Sequence, residues 1–246
     1  KSVVDSRISI VFNGEIYNHL SLKKELISLG ASFVTSSDTE VILEGYRVWG
    51  TEIFKKLEGM FGLVIVDQKL GVALAVRDPL GIKPLYVRKV NNIVAFASEM
   101  RPLLRLGHVS VNTQAQGELL EYGWAAGSLN NLNEIDIVAP GTITTLSLYD
   151  GSTTTYQYFN VLDTLSQEKI EYQDTESVVE NIHDLIKESI ASHLISDVGY
   201  SVQLSGGVDS SLITSIISKY ASEKSVLSSF GIDLGEYEHN EKIYRD

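Results

Sequence analysis

The chain contains no cysteine. That absence excludes disulfides and thiolate-held metals from its 246 residues. Basic charge is scarce as well: 20 Lys and Arg face 32 Asp and Glu, for a formal net charge of −12. A broad nucleic-acid footprint needs clustered cations, so no nucleic-acid partner is expected. A small anion held by a local nest of N–H groups remains compatible with that field. Long apolar runs are missing too. The most apolar region, 60–76, is broken by Asp67-Gln68-Lys69, which argues against a membrane span. No signal peptide, internal repeat, G-x-x-x-x-G-K-[ST] pattern or strand-linked G-x-G-x-x-G is found, and a cytoplasmic location is the default. Hydrophobic residues at 43% and charged ones at 21% fit an ordinary globular protein with room for two domains.

The most informative stretch present is Ser205-Gly206-Gly207-Val208-Asp209-Ser210-Ser211. It lies between an apolar run, 200–204, and a helical-looking one, 212–217. A strand, a glycine-rich turn and a helix N-terminus in that order make an anion site. The glycines let successive N–H groups converge, and the helix end adds partial positive charge. A plain Ser/Gly turn with an N-cap is the blander reading.

The rest of the chain divides on pattern. Residues 6–12 alternate as a strand that should break at Asn13-Gly14, and 20–29 read as an amphipathic helix stopped by Gly30. Ser37-Asp38-Thr39-Glu40 has capping-box form ahead of a helix reaching Trp49. Short strands are expected at 60–66, 72–76, 85–90 and 93–97, and helices at 99–106 and 113–122. A hairpin about Asp150-Gly151 should join 141–148 to 153–159. The polar stretch 163–174 reads as a linker before a long amphipathic helix, 175–194. The expected organisation is a β-rich domain over 1–162, the linker 163–174, and the opening of an α/β domain over 175–246. Strand order is not legible.

Asn13-Gly14-Glu15-Ile16-Tyr17-Asn18 follows the first strand. An Asn amide beside a Gly N–H can converge on one oxygen as an oxyanion hole. Glu15 and Asp38 could then hold an ammonium group. Taken singly, Asn-Gly is also a turn former and Asp38 a helix cap.

Taken together, FNGEIYN, SDTE, GMFG, RDPLGIKPLY, ASE and LSGGVDSS, in this order, resemble the asparagine synthetase family. That family joins a class II glutamine amidotransferase domain to an ATP-pyrophosphatase synthetase domain. Glutamine phosphoribosylpyrophosphate amidotransferases share the RDPxGxxPL and SE patterns but lack the SGGxDSS loop. The resemblance implies an α+β fold followed by an α/β one: an N-terminal-nucleophile αββα sandwich, then the start of a parallel-sheet adenine-nucleotide (PP-loop) domain. It implies that Asn13 and Gly14 form an oxyanion hole, and that they bind glutamine together with Glu15 and Asp38. It assigns Leu204, Ser205, Gly206, Gly207, Asp209 and Ser210 to ATP or its pyrophosphate, with Asp209 holding Mg²⁺. Residues 77–86 read as structural, with Lys83 at a domain contact. The implied reaction amidates an acceptor carboxylate, aspartate or a relative, through an adenylate, with ammonia from glutamine. Alternatives are a sugar carboxylate acceptor in polysaccharide synthesis, a β-lactam precursor, and a non-catalytic nucleotide-binding homologue. A tRNA-thiolating enzyme would bring a basic face and usually cysteines, and neither is here. A homodimer is one assembly the resemblance allows.

One departure stands out. The family's nucleophile is an N-terminal cysteine, and its glutamine-carboxylate arginine lies upstream. This chain has no cysteine, and Arg7 does not match that arginine. The expectation is therefore a piece of a longer protein, with the nucleophile before it and the acceptor pocket after it.

Overall fold

The computed structural model describes residues 7–125, 130–165, 174–195, 199–220 and 228–231. The chain divides into two compact units, Lys1–Glu168 and Lys169–Asp246.

The first unit opens with β1 (Ile8–Ile16), α1 (His19–Ser28), α2 (Asp38–Trp49) and α3 (Ile53–Lys56), then β2 (Gly59–Asp67) and β3 (Val72–Arg77). There follow β4 (Tyr86–Val90), β5 (Ile93–Ala97), α4 (Met100–Leu103), α5 (Thr113–Tyr122), β6 (Asp136–Ile137), β7 (Thr142–Ser147), β8 (Thr153–Gln157) and α6 (Val161–Leu165). Five antiparallel strands form one sheet in the order β1-β2-β3-β7-β8, and β5-β4-β6 form a second.

Alternation decides what each face of the larger sheet meets. Ile16, Phe61, Leu63, Ile65, Leu74, Val76 and Ile143 pack against Leu22 and Leu26 of α1, Val41, Ile42 and Tyr46 of α2, and Ile53 and Phe54 of α3. On the other face Ala75 and Val64 meet Val87 and Phe96 of the second sheet, with the flanking Leu85 and Val138. Arg88, beside Val87, points the other way and reaches the end of α4. The layers run helix, sheet, sheet, helix, the sandwich expected of this unit.

Two local expectations fail. The strand does not break at Asn13-Gly14; β1 runs on to Ile16, with Gly14 opposite Phe61. A Cβ at Gly14 would lie 2.7 Å from Phe61 Cα and nearer still to the Met60 carbonyl oxygen. Glycine here serves close backbone approach inside a ladder rather than a turn. The capping box is only half formed. Ser37 Oγ accepts from Thr39 N at 3.2 Å. Glu40, however, accepts from Val34 N at 2.9 Å, Thr35 N at 2.6 Å and Thr35 Oγ1. The incoming loop brings its own donors to the carboxylate, so Glu40 ties that loop rather than the cap.

Elsewhere the expected elements hold with small shifts of boundary. The helix expected over 99–106 is α4 followed by a tighter 3₁₀ turn, Leu104–Leu106. Residues 163–165 of the expected linker complete α6, and 166–173 lie outside the described residues.

The second unit contains α7 (Thr175–His193), β9 (Ser201–Gln203), α8 (Val208–Tyr220) and β10 (Ser228–Phe230). Asp174 caps α7 by accepting from Ser177 N at 2.7 Å. β9 and β10 pair in parallel, and Leu204 N continues the ladder to Phe230 O at 2.8 Å.

Candidate functional site

β1 is an edge strand of its sheet, and its register decides which of its N–H groups are free to bind something else. Gln68 N donates to Arg7 O, and Tyr17 N to Glu58 O. With the β1–β2 pairing between them, odd-numbered residues of β1 exchange hydrogen bonds with β2, while even-numbered ones point theirs off the edge. Phe61, opposite Gly14, is already committed elsewhere. Its carbonyl accepts from Asp78 N at 2.8 Å, and its N–H donates to Asp78 Oδ2 at 3.1 Å. The Gly14 N–H therefore faces outward.

Two residues on, the outward Ile16 N–H donates to Asp38 Oδ2 at 3.2 Å. Asp38 begins α2, where a carboxylate also suits the helix dipole. So α2 delivers a carboxylate to the same strand edge that carries the Gly14 donor, with about 7 Å between the two positions along the strand. Asn13 projects from the neighbouring face, and its Nδ2 donates to Ser98 Oγ at 2.9 Å. Glu15 shares the Asn13 face and is half-buried. Burial first, then the Glu15 and Asp78 carboxylates, raise the Tyr17 phenol pKa above its usual value. An edge of this kind offers hydrogen-bond donors at one end and anionic acceptors at the other. It suits a ligand carrying a carbonyl oxygen and an ammonium group.

Residues 77–86 buttress this edge. Asp78 is fully buried. Its Oδ1 accepts from Leu80 N (3.1 Å) and Ile82 N (2.9 Å), and its Oδ2 from Lys83 N (2.9 Å) as well as Phe61 N. Arg77 donates to the carbonyls of Lys83, Val138 and Gly81. Burial pulls its guanidinium pKa below the ordinary value, against the opposing pull of Asp78 and Tyr86. Tyr158 Oη donates to Arg77 O at 2.8 Å, and burial pushes its pKa well up. Gly81, at φ +68°, makes the turn that lets both side chains close the loop. A half-open cavity of about 430 Å³ lies beside the loop, bordered by Phe54, Leu57, Leu80, Ile82 and Phe159.

In the second unit, Ser205, Gly206 and Gly207 link β9 to α8. Gly206 adopts φ +86°, the left-handed backbone a side chain would resist. Ser210 Oγ lies 3.1 Å from Ser205 Oγ and donates to Gly207 O at 3.1 Å, so the loop closes on its own hydroxyls. Asp209 sits in the first turn of α8. The first N–H groups of α8 have no acceptor within the helix, as at any helix start. Of the six loop residues singled out in the sequence, Leu204 alone spends its N–H on the sheet. The strand-edge residues and the loop residues lie in different units.

Residues 2–159 match the family model described as a glutamine amidotransferase domain. The chain belongs to that family. Residues 181–246 match the model described as asparagine synthase, so the amidotransferase domain is followed by a second domain of asparagine synthetase type. Asparagine synthetase [glutamine-hydrolyzing] 1 of Bacillus subtilis is 34% identical over 89% of this chain and 34% of its own length. Asparagine synthetase [glutamine-hydrolyzing] 3 of the same organism is 32% identical over 96% of this chain and 38% of its own. The chain thus spans about a third of the length of these curated relatives. Among solved structures, B. subtilis glutamine phosphoribosylpyrophosphate amidotransferase covers 91% of this chain and 45% of its own, at 15% identity and a TM-score of 0.45. That likeness is too slight to carry an argument.

Two residues of the amidotransferase domain escaped the sequence reading. Ser98 stood inside a recognised motif, but its partner Asn13 is 85 residues away and nothing local connects them. Arg88 is 3% exposed and donates to the carbonyls of Leu103, Gly107 and His108. A lone Arg in a short strand carries no sequence signal for such a clamp. No group of three or more potential metal ligands occurs among the described residues. No helix among them is long and apolar enough to cross a membrane.

Proposed function

We propose that the protein carrying this chain is a glutamine-dependent, ATP-dependent amidotransferase of asparagine synthetase type. The observation that carries the reading is the open β1 edge: the outward Gly14 N–H lies two residues from Ile16, whose own N–H holds the Asp38 carboxylate of α2, with the Asn13 amide beside them. That spacing matches the span of glutamine from its α-amine to its side-chain carbonyl. Asp38, with Glu15, receives the ammonium group. Asn13 and Gly14 receive the carbonyl oxygen and stabilise it as it becomes an oxyanion. One such donor is typically worth about 2.7–4 kcal/mol in the transition state. The attacking thiol is not among these 246 residues, so the reading requires it from sequence beyond them.

The second unit supports the ATP half. Turn glycines, a helix N-terminus and two serine hydroxyls suit a pyrophosphate: all are donors, and none brings a competing charge. Hydrogen bonds to a charged group contribute roughly 1.5–3 kcal/mol each. Ser205, Gly206, Gly207 and Ser210 would hold the phosphates. Asp209, anionic itself, suits Mg²⁺ rather than phosphate. When bound, Mg²⁺ would neutralise phosphate charge. ATP would activate the acceptor carboxylate as an adenylate, and ammonia would complete the amide. Aspartate is the acceptor suggested by the relatives' names.

The test supplies the full-length protein with glutamine, ATP, Mg²⁺ and candidate carboxylates one at a time, aspartate first. Glutamate and pyrophosphate are then assayed together. The reading predicts that glutamate is released from glutamine, and that pyrophosphate release requires ATP, a nitrogen source and one preferred carboxylate. Glutamate release with no ATP-dependent pyrophosphate for any carboxylate would remove the synthetase half.

A further inference from the structure

We infer that Ser98 is a positioning residue for the proposed glutamine hydrolysis, holding the Asn13 carboxamide at the strand edge where it presents an N–H to the reacting oxygen. The inference rests on the strand-edge reading above and adds a residue to it.

Asn13 projects from an edge strand and is exposed, so packing alone does not fix its two side-chain torsions. The Nδ2–Ser98 Oγ hydrogen bond of 2.9 Å ties the carboxamide to a second point, so swinging the side chain away from the edge breaks that bond. One Nδ2 hydrogen is spent on the hydroxyl and the second stays available in the amide plane.

Ser98 is well placed to serve as an anchor because it directly follows a strand of the other sheet. β5 ends at Ala97, which pairs with Tyr86 of β4, and α4 begins at Met100. The far end of α4 is clamped in turn. Arg88, also on β4, is buried and donates from Nη1 to Leu103 O (2.7 Å) and Gly107 O (3.2 Å), and from Nη2 to His108 O (2.6 Å). Ser98 therefore sits on a two-residue link between a paired strand end and a clamped helix. A hydroxyl on such a link cannot follow Asn13 if the amide rotates. The bond also bridges the two sheets.

The test uses the full-length protein and follows glutamine hydrolysis for Ser98→Ala, Ser98→Thr, Asn13→Ala and the Asn13→Ala/Ser98→Ala double variant. Ser98→Ala should lower kcat about tenfold and leave KM within about twofold, since glutamine's ammonium is held elsewhere, at Asp38. Ser98→Thr keeps Oγ and should recover most of the loss. The double variant should be no slower than Asn13→Ala, because Ser98 has nothing to orient once the amide is gone. A Ser98→Ala protein with unchanged kcat would overturn the inference. So would one slowed as much by Ser98→Thr, or a double variant in which the two losses multiply. Asn13→Ala reports separately on the reading beneath: if it alone leaves hydrolysis intact, the strand-edge assignment fails and the role of Ser98 falls with it.

Discussion

Asp78→Asn should unfold the amidotransferase domain far more readily than its small change in shape suggests. The fully buried Asp78 carboxylate accepts four backbone N–H groups, two on each oxygen: Leu80 and Ile82 on Oδ1, Phe61 and Lys83 on Oδ2. An amide can keep only one oxygen. Whichever way it turns, two donors lose their acceptor and face an NH₂ instead. Each orphaned donor costs up to about 1–3 kcal/mol, less where it is only part-buried as at Leu80 and Ile82, so the pair amounts to as much as roughly 2–6 kcal/mol. With an m-value of about 2 kcal/mol per molar, the urea midpoint of this domain should fall by ~1–3 M. The loss should also reach the strand edge, because Phe61, opposite Gly14, donates its N–H to the Asp78 carboxylate. Urea unfolding followed by tryptophan fluorescence is a direct assay, since Trp49 packs against the core of this unit. A midpoint within experimental scatter of the wild type would refute the accounting, and with it the role of the 77–86 loop as the buttress of the edge.

Gly14→Ala should force β1 away from β2, because the new Cβ meets backbone rather than a flexible side chain; a loss at or above the usual ~1–3 kcal/mol of overpacking is expected in the same urea assay. Glu40 is opposed by burial, but hydrogen bonds from Thr35 Oγ1 and the Val34 and Thr35 N–H groups, with nearby Lys23, hold its folded pKa below 4.5. A depressed carboxylate pKa contributes stability that is fully present above the unfolded value and lost as pH falls through the folded one. Melting curves from pH 7 to pH 3 should therefore show Glu40→Gln less stable than wild type at neutral pH, with the gap closing below about pH 4.5. In the second unit, Asp209→Asn in the full-length protein should abolish Mg²⁺-dependent pyrophosphate release while leaving glutamine hydrolysis in place; unchanged release would remove the metal role of Asp209.

Much of this architecture was legible because its signals are local. The period of α1 and α2, the Gly30 stop, the Ser37 cap, the short strands β2 to β5 and the Asp150-Gly151 hairpin all depend on neighbours within a few residues. What escaped depended on partners far along the chain. Asn13-Gly14 reads locally as a turn, and only pairing with Gly62 and Phe61 makes it strand. Glu40 has the spacing of a capping box, but the conformation of the preceding loop redirects it to Val34 and Thr35. The hydrogen bond from Asn13 to Ser98 and the Arg88 clamp cross between elements whose arrangement no periodicity encodes. The residue types of the site were therefore readable as a motif, whereas the direction of the Gly14 donor required the register of an edge strand.

In the proposed reaction the β1 edge activates glutamine and does nothing else. The most direct measurement is amide formation by full-length Asn13→Ala, first with glutamine and then with ammonium as nitrogen source. Activity with glutamine should fall by roughly 10²–10³, the cost of one oxyanion donor, while the ammonium-driven reaction persists. An equal fall with both nitrogen sources would contradict it and leave Asn13 a residue that only supports the fold.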